Sequence, residues 1–176
     1  MSEVTRADDV TDANASGIQV REVDAAWAEH ACAIMHAAFA EYGATGKPSG
    51  AMLETPATLR DELKDGVRLA MAWRDEVAVA MVKFVRAEDD TFYFSRLAVL
   101  PEQRNTGITR AVIDWLTARA QDEDAAGISC CVRAEEADLI GMYSHFGMSI
   151  TGHTDKPSLT GRVIPVTWLA MPLSRA

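Results

Sequence analysis

The sequence predicts an α/β chain in which helices flank one mixed sheet of the α+β kind. Two helical stretches with an apolar stripe come early, and three strand-like runs joined by short charged turns follow them. Strand and helix patterns then alternate towards the C-terminal part of the chain. Because short turns join antiparallel neighbours, this order indicates a central sheet with a meander and a mixed second half.

The first elements follow from hydrophobic spacing. Residues 1–17 are polar and acidic and lack any period, so we expect a disordered N-terminal tail. Residues 18–23 alternate apolar and polar side chains, which is typical of a half-buried strand. Residues 25–42 place apolar side chains three and four positions apart, which predicts a helix that begins after Asp24 and ends at Gly43.

The later elements are separated by Gly, Pro and charged turns. A Gly-rich connection over residues 43–53 leads to a second helix, residues 55–64, with Thr55 as its cap and Gly66 as its stop. The remaining predicted elements are strands 67–73, 77–86 and 91–100, helix 107–121, strand 127–132, helix 136–146, and strands 148–153 and 163–171. No repeat or linker divides the chain after the tail, so residues 18–176 are predicted to form a single domain.

Composition and charge narrow the classes of function. The 26 acidic and 17 basic residues give a formal charge of -9, which repels phosphate backbones and anionic lipids and disfavours nucleic acid and membranes as partners. An acidic surface favours a cationic acceptor such as an amine, although negative charge also keeps many proteins in solution. Three cysteines, two of them adjacent, do not suit a disulfide framework, and no run approaches the roughly 20 apolar residues of a membrane span. We expect a cytoplasmic protein.

The most informative stretch runs from a strand through a turn into a helix, over residues 97–110. Pro101 ends the strand, and the buried face of the following helix forces the turn to present free backbone N–H groups at the sheet edge. Such groups at the positive end of a helix dipole suit a pyrophosphate, and Gly107 allows close approach. Arg104 and Arg110 add positive charge. The motifs of nucleotide-hydrolysing and dinucleotide-binding loops are absent.

This stretch resembles the signature of the GNAT superfamily, Arg/Gln-x-x-Gly-x-Gly/Ala, which follows a strand ending in an apolar run and a proline. The matching residues are Arg104, Asn105, Thr106, Gly107, Ile108 and Thr109. Thr109 stands where the family prefers Gly or Ala, which bears on how closely a phosphate packs. The resemblance extends over residues 18–171, because a late helix ends in Tyr143 and Phe146 much as the family's Tyr-x-x-x-Gly-Phe ending does.

The resemblance implies the acyl-CoA N-acyltransferase fold, with a mostly antiparallel sheet splayed at the CoA site, and transfer of acetyl from acetyl-CoA to an amine. It implies that the pantetheine arm pairs with the strand and that the pyrophosphate contacts the turn, while Tyr143 protonates the departing sulfur. The resemblance is also compatible with a homodimer, and it implies no metal. The implied cofactor-binding residues are Leu97, Ala98, Val99, Arg104, Asn105, Thr106, Gly107, Ile108, Thr109 and Arg110.

The general base and the acceptor are not identified by the sequence. The strand that would contact the thioester offers Tyr93, Ser95 and Arg96 in place of an acid, so water, Glu41 or Glu54 are the candidates. We therefore carry two hypotheses: an N-acetyltransferase acting by direct attack on a small-molecule or peptide amine, and a catalytically silent CoA-binding module. A third reading makes the turn an ordinary helix cap in an unrelated α/β domain. The histidines show no metal-ligand spacing.

Overall fold

A computed structural model describes residues 17–44, 49–158 and 160–175 of the chain. The strands are β1 (Ile18–Val23), β2 (Arg68–Arg74), β3 (Val77–Arg86), β4 (Thr91–Val99), β5 (Gly127–Arg133), β6 (Ser149–Pro157) and β7 (Val163–Pro172). The helices are α1 (Ala28–Ala44), α2 (Pro56–Lys64), α3 (Ile108–Asp122) and α4 (Ala137–His145). Except for Gly17, the predicted tail lies outside the described residues, and the single domain stays a prediction.

The strands form one mixed sheet in the order β1-β2-β3-β4-β5-β7-β6. All neighbours are antiparallel except β4 and β5, which run parallel. The charged turns after β2 and β3 place non-glycine residues in left-handed conformations, as tight hairpins require. The predicted fold class, a mixed sheet with a meander and flanking helices, is confirmed.

The sheet opens where its one parallel pair of strands diverges. Thr91, Phe92 and Tyr93 of β4 pair with residues 127–129 of β5, and beyond them the described residues form no further pair between these strands. On its other edge β4 pairs with β3 through a register shift, near which Arg96 adopts a left-handed φ of 54°. Such a bulge bends its strand. We call the opening between β4 and β5 the fork.

The two faces of the sheet bury separate cores. On β2, Leu69, Met71 and Trp73 pack with α1 and α2, while Ala70 and Ala72 belong to the core that contains α3. This split follows from the alternation of side chains along a strand. The α3 core also holds the fully buried rings of Phe84, Phe92 and Phe94. Burying each ring contributes on the order of 2–3 kcal/mol, so this core stabilises β3 and β4 beside the fork.

Some predicted boundaries differ from the structure. A short 3-10 turn, Ala25–Trp27, capped by the Asp24 carboxylate, precedes α1, and the helix continues past Gly43. In the predicted connection after Gly43, the described part contains a second 3-10 turn, Gly50–Leu53. β6 extends to Pro157, four residues beyond the predicted end, because β7 supplies a partner along its whole length. Among the described residues, no helix has the length and apolar character needed to cross a membrane.

Candidate active site

The turn between β4 and α3 leaves a row of backbone N–H groups unoccupied. The amides of Gln103 and Arg104 bond back to the carbonyls of Leu100 and Pro101, at 2.8 and 3.3 Å. Within the described chain, the amides of residues 105–107 donate to no backbone carbonyl. The first bond of α3 runs from the amide of Ala111 to the Gly107 carbonyl, so residues 108–110 have no acceptor inside the helix.

The turn that carries the free amides is left-handed at two of its residues. Asn105 and Gly107 have left-handed φ values of 59° and 88°. Gly107 is the N-cap of α3 and makes no side-chain cap, while a Cβ added to it would meet nothing within 4 Å, so the backbone conformation and not space calls for glycine. Ile108 is buried and anchors the turn, and Thr109 is half-buried beside it. A row of free amides at a helix start suits an anion such as a diphosphate.

An arginine from a distant strand supports the turn from behind. Arg74, at the end of β2, donates from Nη2 to the carbonyl of Thr106 at 2.8 Å, and its Nη1 lies 3.5 Å from Oε1 of Gln103. In a trans peptide the carbonyl and the following N–H point in opposite directions. Arg74 therefore aims the amide of Gly107 away from β2. Sequence reasoning missed this residue because its partner lies 32 positions away and no local pattern marks it.

The two arginines of the signature are engaged with the protein. Arg104 donates from Nη2 to the Ala38 carbonyl at 2.9 Å, and its Nη1 lies 2.8 Å from Oε1 of Glu41. Arg110 pairs with Asp114 on the next helical turn and lies over the ring of Phe146, 5.4 Å from its centroid. Arg104 thus ties the turn to α1 through its side chain, whereas Arg110 lies at the exposed mouth of the turn.

The predicted pantetheine strand borders the fork. Val99 lies opposite Ala80 and Ala98 opposite Met81, and the Leu100 amide bonds to the Val79 carbonyl at 3.0 Å. Backbone groups alternate in direction along a strand, so those of Ala98 point to β3 and those of Val99 point away from it. The carbonyl of Leu97 also points away from β3, because it lies opposite the N–H of Ala98 in the same trans peptide. These groups are open to an extended ligand chain.

Tyr143 of α4 lies at the base of the fork. Its ring meets Phe94 edge to face, with centroids 5.7 Å apart, and Phe94 is the first β4 residue after the last pair with β5. Only 4% of the residue is exposed. Its hydroxyl has no hydrogen-bond partner among the described residues, yet the oxygen is not sealed from solvent. Burial raises the pKa of the phenol, and Cys130 adds to that effect, so the hydroxyl stays protonated at neutral pH.

α4 connects the two halves of the site. Tyr143 contacts the fork through Phe94, and Phe146, three residues later on the same helical face, contacts Arg110 in the first turn of α3. The structure therefore brings Tyr143, the strand Leu97–Val99 and the turn at Gly107 to one end of the sheet. The Arg104 side chain does not join them, because it is directed to α1.

Neither proposed carboxylate is a free base. Glu54 is buried, and its two oxygens accept from Nζ of Lys83 at 2.8 Å and Nε of Arg96 at 2.6 Å. Burial alone would raise the pKa of Glu54, but these hydrogen bonds and charges outweigh it and lower the pKa. Glu41 pairs with Arg104. Water therefore stays the candidate for the general base. Within the described ranges, no cluster of His, Cys, Asp or Glu could hold a metal ion.

Comparisons with known proteins agree with this geometry. No curated protein sequence matches the chain. Among solved structures, the ribosomal-protein-S18-alanine N-acetyltransferase of Escherichia coli superposes with a TM-score of 0.72 at 19% identity, covering 90% of this chain and 96% of that one. A spermidine N-acetyltransferase chimera that includes the Vibrio cholerae enzyme gives 0.69 at 13% identity, covering 89% and 95%. At these identities the likeness shows the fold.

A third structure, from Salmonella typhimurium, is assigned to the acetyltransferases and was solved with its cofactor acetyl-CoA. It gives a TM-score of 0.68 at 14% identity and covers 91% of this chain and 96% of that one. The family model described as Acetyltransferase (GNAT) family matches residues 32–148, which includes β4, the turn, α3 and α4. Since the match covers more than half of the sequence, this chain belongs to the GNAT family of acetyltransferases.

Proposed function

We propose that the protein transfers an acetyl group from acetyl-CoA to a primary amine of a small molecule or peptide. The observation that carries the proposal is the shared location of the open turn at Gly107 and the fork beside Leu97 and Val99. The turn binds the pyrophosphate of CoA, and the strand edge binds the pantetheine arm. Two of the structural relatives are named for spermidine and for a ribosomal protein, which both offer amines.

The reaction follows from the position of the thioester in the fork. The amine attacks the carbonyl carbon directly in a ternary complex, so the C–N bond forms while the C–S bond breaks and its electron pair moves to sulfur. Backbone N–H groups on the open edge of β4 stabilise the developing oxyanion. Holding the two reactants in line replaces an encounter in solution and supplies much of the rate. The proton that the amine must lose goes to water.

Tyr143 acts on the leaving sulfur. Its hydroxyl donates a hydrogen bond as negative charge develops there. Burial raises the pKa of the phenol, so Tyr143 keeps its proton until charge develops on the sulfur. Solvent then restores the proton on Tyr143. A cytoplasmic location is part of the proposal, since three cysteines, two of them adjacent, suit a chain without disulfides.

Thiol release with acetyl-CoA and a panel of amines tests the proposal. Tyr143→Phe is expected to lower kcat by about 100-fold at neutral pH, because it removes the proton donor and keeps the ring against Phe94. Acetyl-CoA affinity, measured by calorimetry, should not change.

The same measurements separate the alternatives. Binding of acetyl-CoA without thiol release from any amine would favour a silent CoA-binding module, which the engaged carboxylates of Glu41 and Glu54 make the second candidate. Absence of acetyl-CoA binding would contradict the cofactor assignment itself. Unchanged kcat in Tyr143→Phe would remove only the role of that residue.

A further inference from the structure

Four side chains gather on the face of the fork opposite α4. Tyr93 of β4 places its hydroxyl 3.3 Å from Sγ of Cys131 on β5. Lys156 of β6 places Nζ 3.5 Å from that hydroxyl and 3.7 Å from the sulfur. Trp168 of β7 completes the group, with its ring centroid 5.9 Å from that of Tyr93. We call these residues the fork cluster.

The fork cluster lies on the side from which an acceptor must approach. Tyr93 ends the β4–β5 pairing, and the next residue, Phe94, points to the opposite face and contacts Tyr143. In the proposed reaction Tyr143 meets the CoA sulfur on that opposite face. The amine therefore attacks from the face of Tyr93. Among the described residues, α1 packs over β3 and β4 on this face.

Lys156 places a positive charge on the face of the fork from which the amine attacks. Its ammonium lies 5.8 Å from the ring centroids of Tyr93 and Trp168, which favour the cation. No carboxylate in the described ranges forms an ion pair with Lys156, although the chain carries a formal charge of -9. Its neighbour Asp155 points to the other face of β6. The buried carboxylate on the same face, Glu54, is already occupied by Lys83 and Arg96.

We propose that the acceptor carries a carboxylate close to its amine, as an α-amino acid does, and that Lys156 binds this carboxylate. The inference rests on the proposed acetyl transfer. An ammonium without an anionic partner repels a polyamine and attracts an anion. Lys156 lies beside the fork, so a carboxylate bound to it holds an amine on the adjacent carbon near the thioester. A long spacer between the carboxylate and the amine would place the amine away from the thioester. The single positive charge of Lys156 is balanced by the single negative charge of the acceptor's carboxylate.

The test compares α-amino acids with their α-amino amides as acceptors in the thiol-release assay. The amide has a larger share of unprotonated amine at neutral pH, so intrinsic reactivity opposes the expected preference. We expect at least one amino acid to exceed its amide about tenfold in kcat/KM, the size expected for a hydrogen bond to a charged group. Lys156→Met should abolish this preference through KM of the acid, and the kinetics of the amide should not change.

Lys156→Arg is the matched control, because it keeps the charge and should keep most of the preference. Lys156 is exposed, so melting curves are expected to show that both variants fold. Equal rates for acids and amides, turnover of polyamines only, or equal losses for both substrates in Lys156→Met would overturn the inference and leave acetyl transfer intact. If no amine releases thiol and calorimetry shows no acetyl-CoA binding, the proposed function itself fails.

Discussion

Gly107 shows how a single residue prepares the proposed phosphate site. A residue with a Cβ pays a penalty of about 1–2 kcal/mol in the left-handed conformation that Gly107 adopts at φ 88°. Side chains that usually cap a helix would also occupy the free N–H groups. Glycine at this position both permits the turn and leaves the amides available, and Arg74 holds the Thr106 carbonyl behind them.

Gly107→Ala is expected to weaken CoA binding about tenfold in calorimetry, because the turn relaxes towards negative φ and the free amides change direction. The free energy of unfolding should fall by about 1 kcal/mol. Gly66→Ala is the control, since Gly66 also has a left-handed φ, 102°, with nothing within 4 Å of an added Cβ. It should lose similar stability and bind CoA normally. Equal affinities in both variants would contradict the role of the Gly107 turn.

At the scale of elements, a buried ion network holds the β4 bulge against α2. Nζ of Lys83 contacts Glu54 and Glu62 at 2.8 and 2.7 Å, and Glu54 also pairs with Arg96 at the bulge. The side chains of Lys83 and Glu54 are only 7% and 10% exposed. Removing one member leaves a charge buried without its partner, which is costly in proteins. We expect the bulge of β4 to depend on this network.

Lys83→Met is expected to lower the free energy of unfolding by about 3 kcal/mol in urea denaturation, because Glu54 stays buried with one cation fewer. Lys64→Met removes a pair with Asp61 whose side chains are 76% and 71% exposed, and it should change stability by less than about 0.5 kcal/mol. Similar losses in the two variants would show that the buried network does not stabilise the bulge.

Elements and local motifs could be predicted from the sequence, and long-range partners could not. The strands of the meander and α3 were predicted to within a few residues, because alternation and helical spacing are local properties. The end of β6 was wrong by four residues because pairing with β7 decides it. The turn at Gly107 was predicted from a local motif. Arg74 and Lys156 were missed, since each joins its site only when distant strands meet.

For the whole molecule, acid stability depends on carboxylates that tie β1, β2 and α3 together. Glu22 accepts from Arg68 and Arg119, and Glu123 accepts from Arg68. Burial by itself raises the pKa of Glu22, but the hydrogen bonds and charges of the two arginines outweigh it, so the pKa is lowered. The hydrogen bond from Arg68 also lowers the pKa of Glu123. Both groups titrate lower in the folded chain than in the unfolded one.

A lowered folded pKa fixes the sign of the pH dependence. The stability that Glu22 contributes is complete above its unfolded pKa, about 4.3, and is lost as the pH falls from there through the folded pKa. Urea denaturation at pH 7, 5, 4 and 3 should therefore show a steep loss below about pH 5. Glu22→Gln should be less stable at pH 7 and lose less on acidification. Glu29→Gln, at a side chain 74% exposed, should follow the wild type. Parallel acid curves for Glu22→Gln and wild type would show that Glu22 does not cause the dependence.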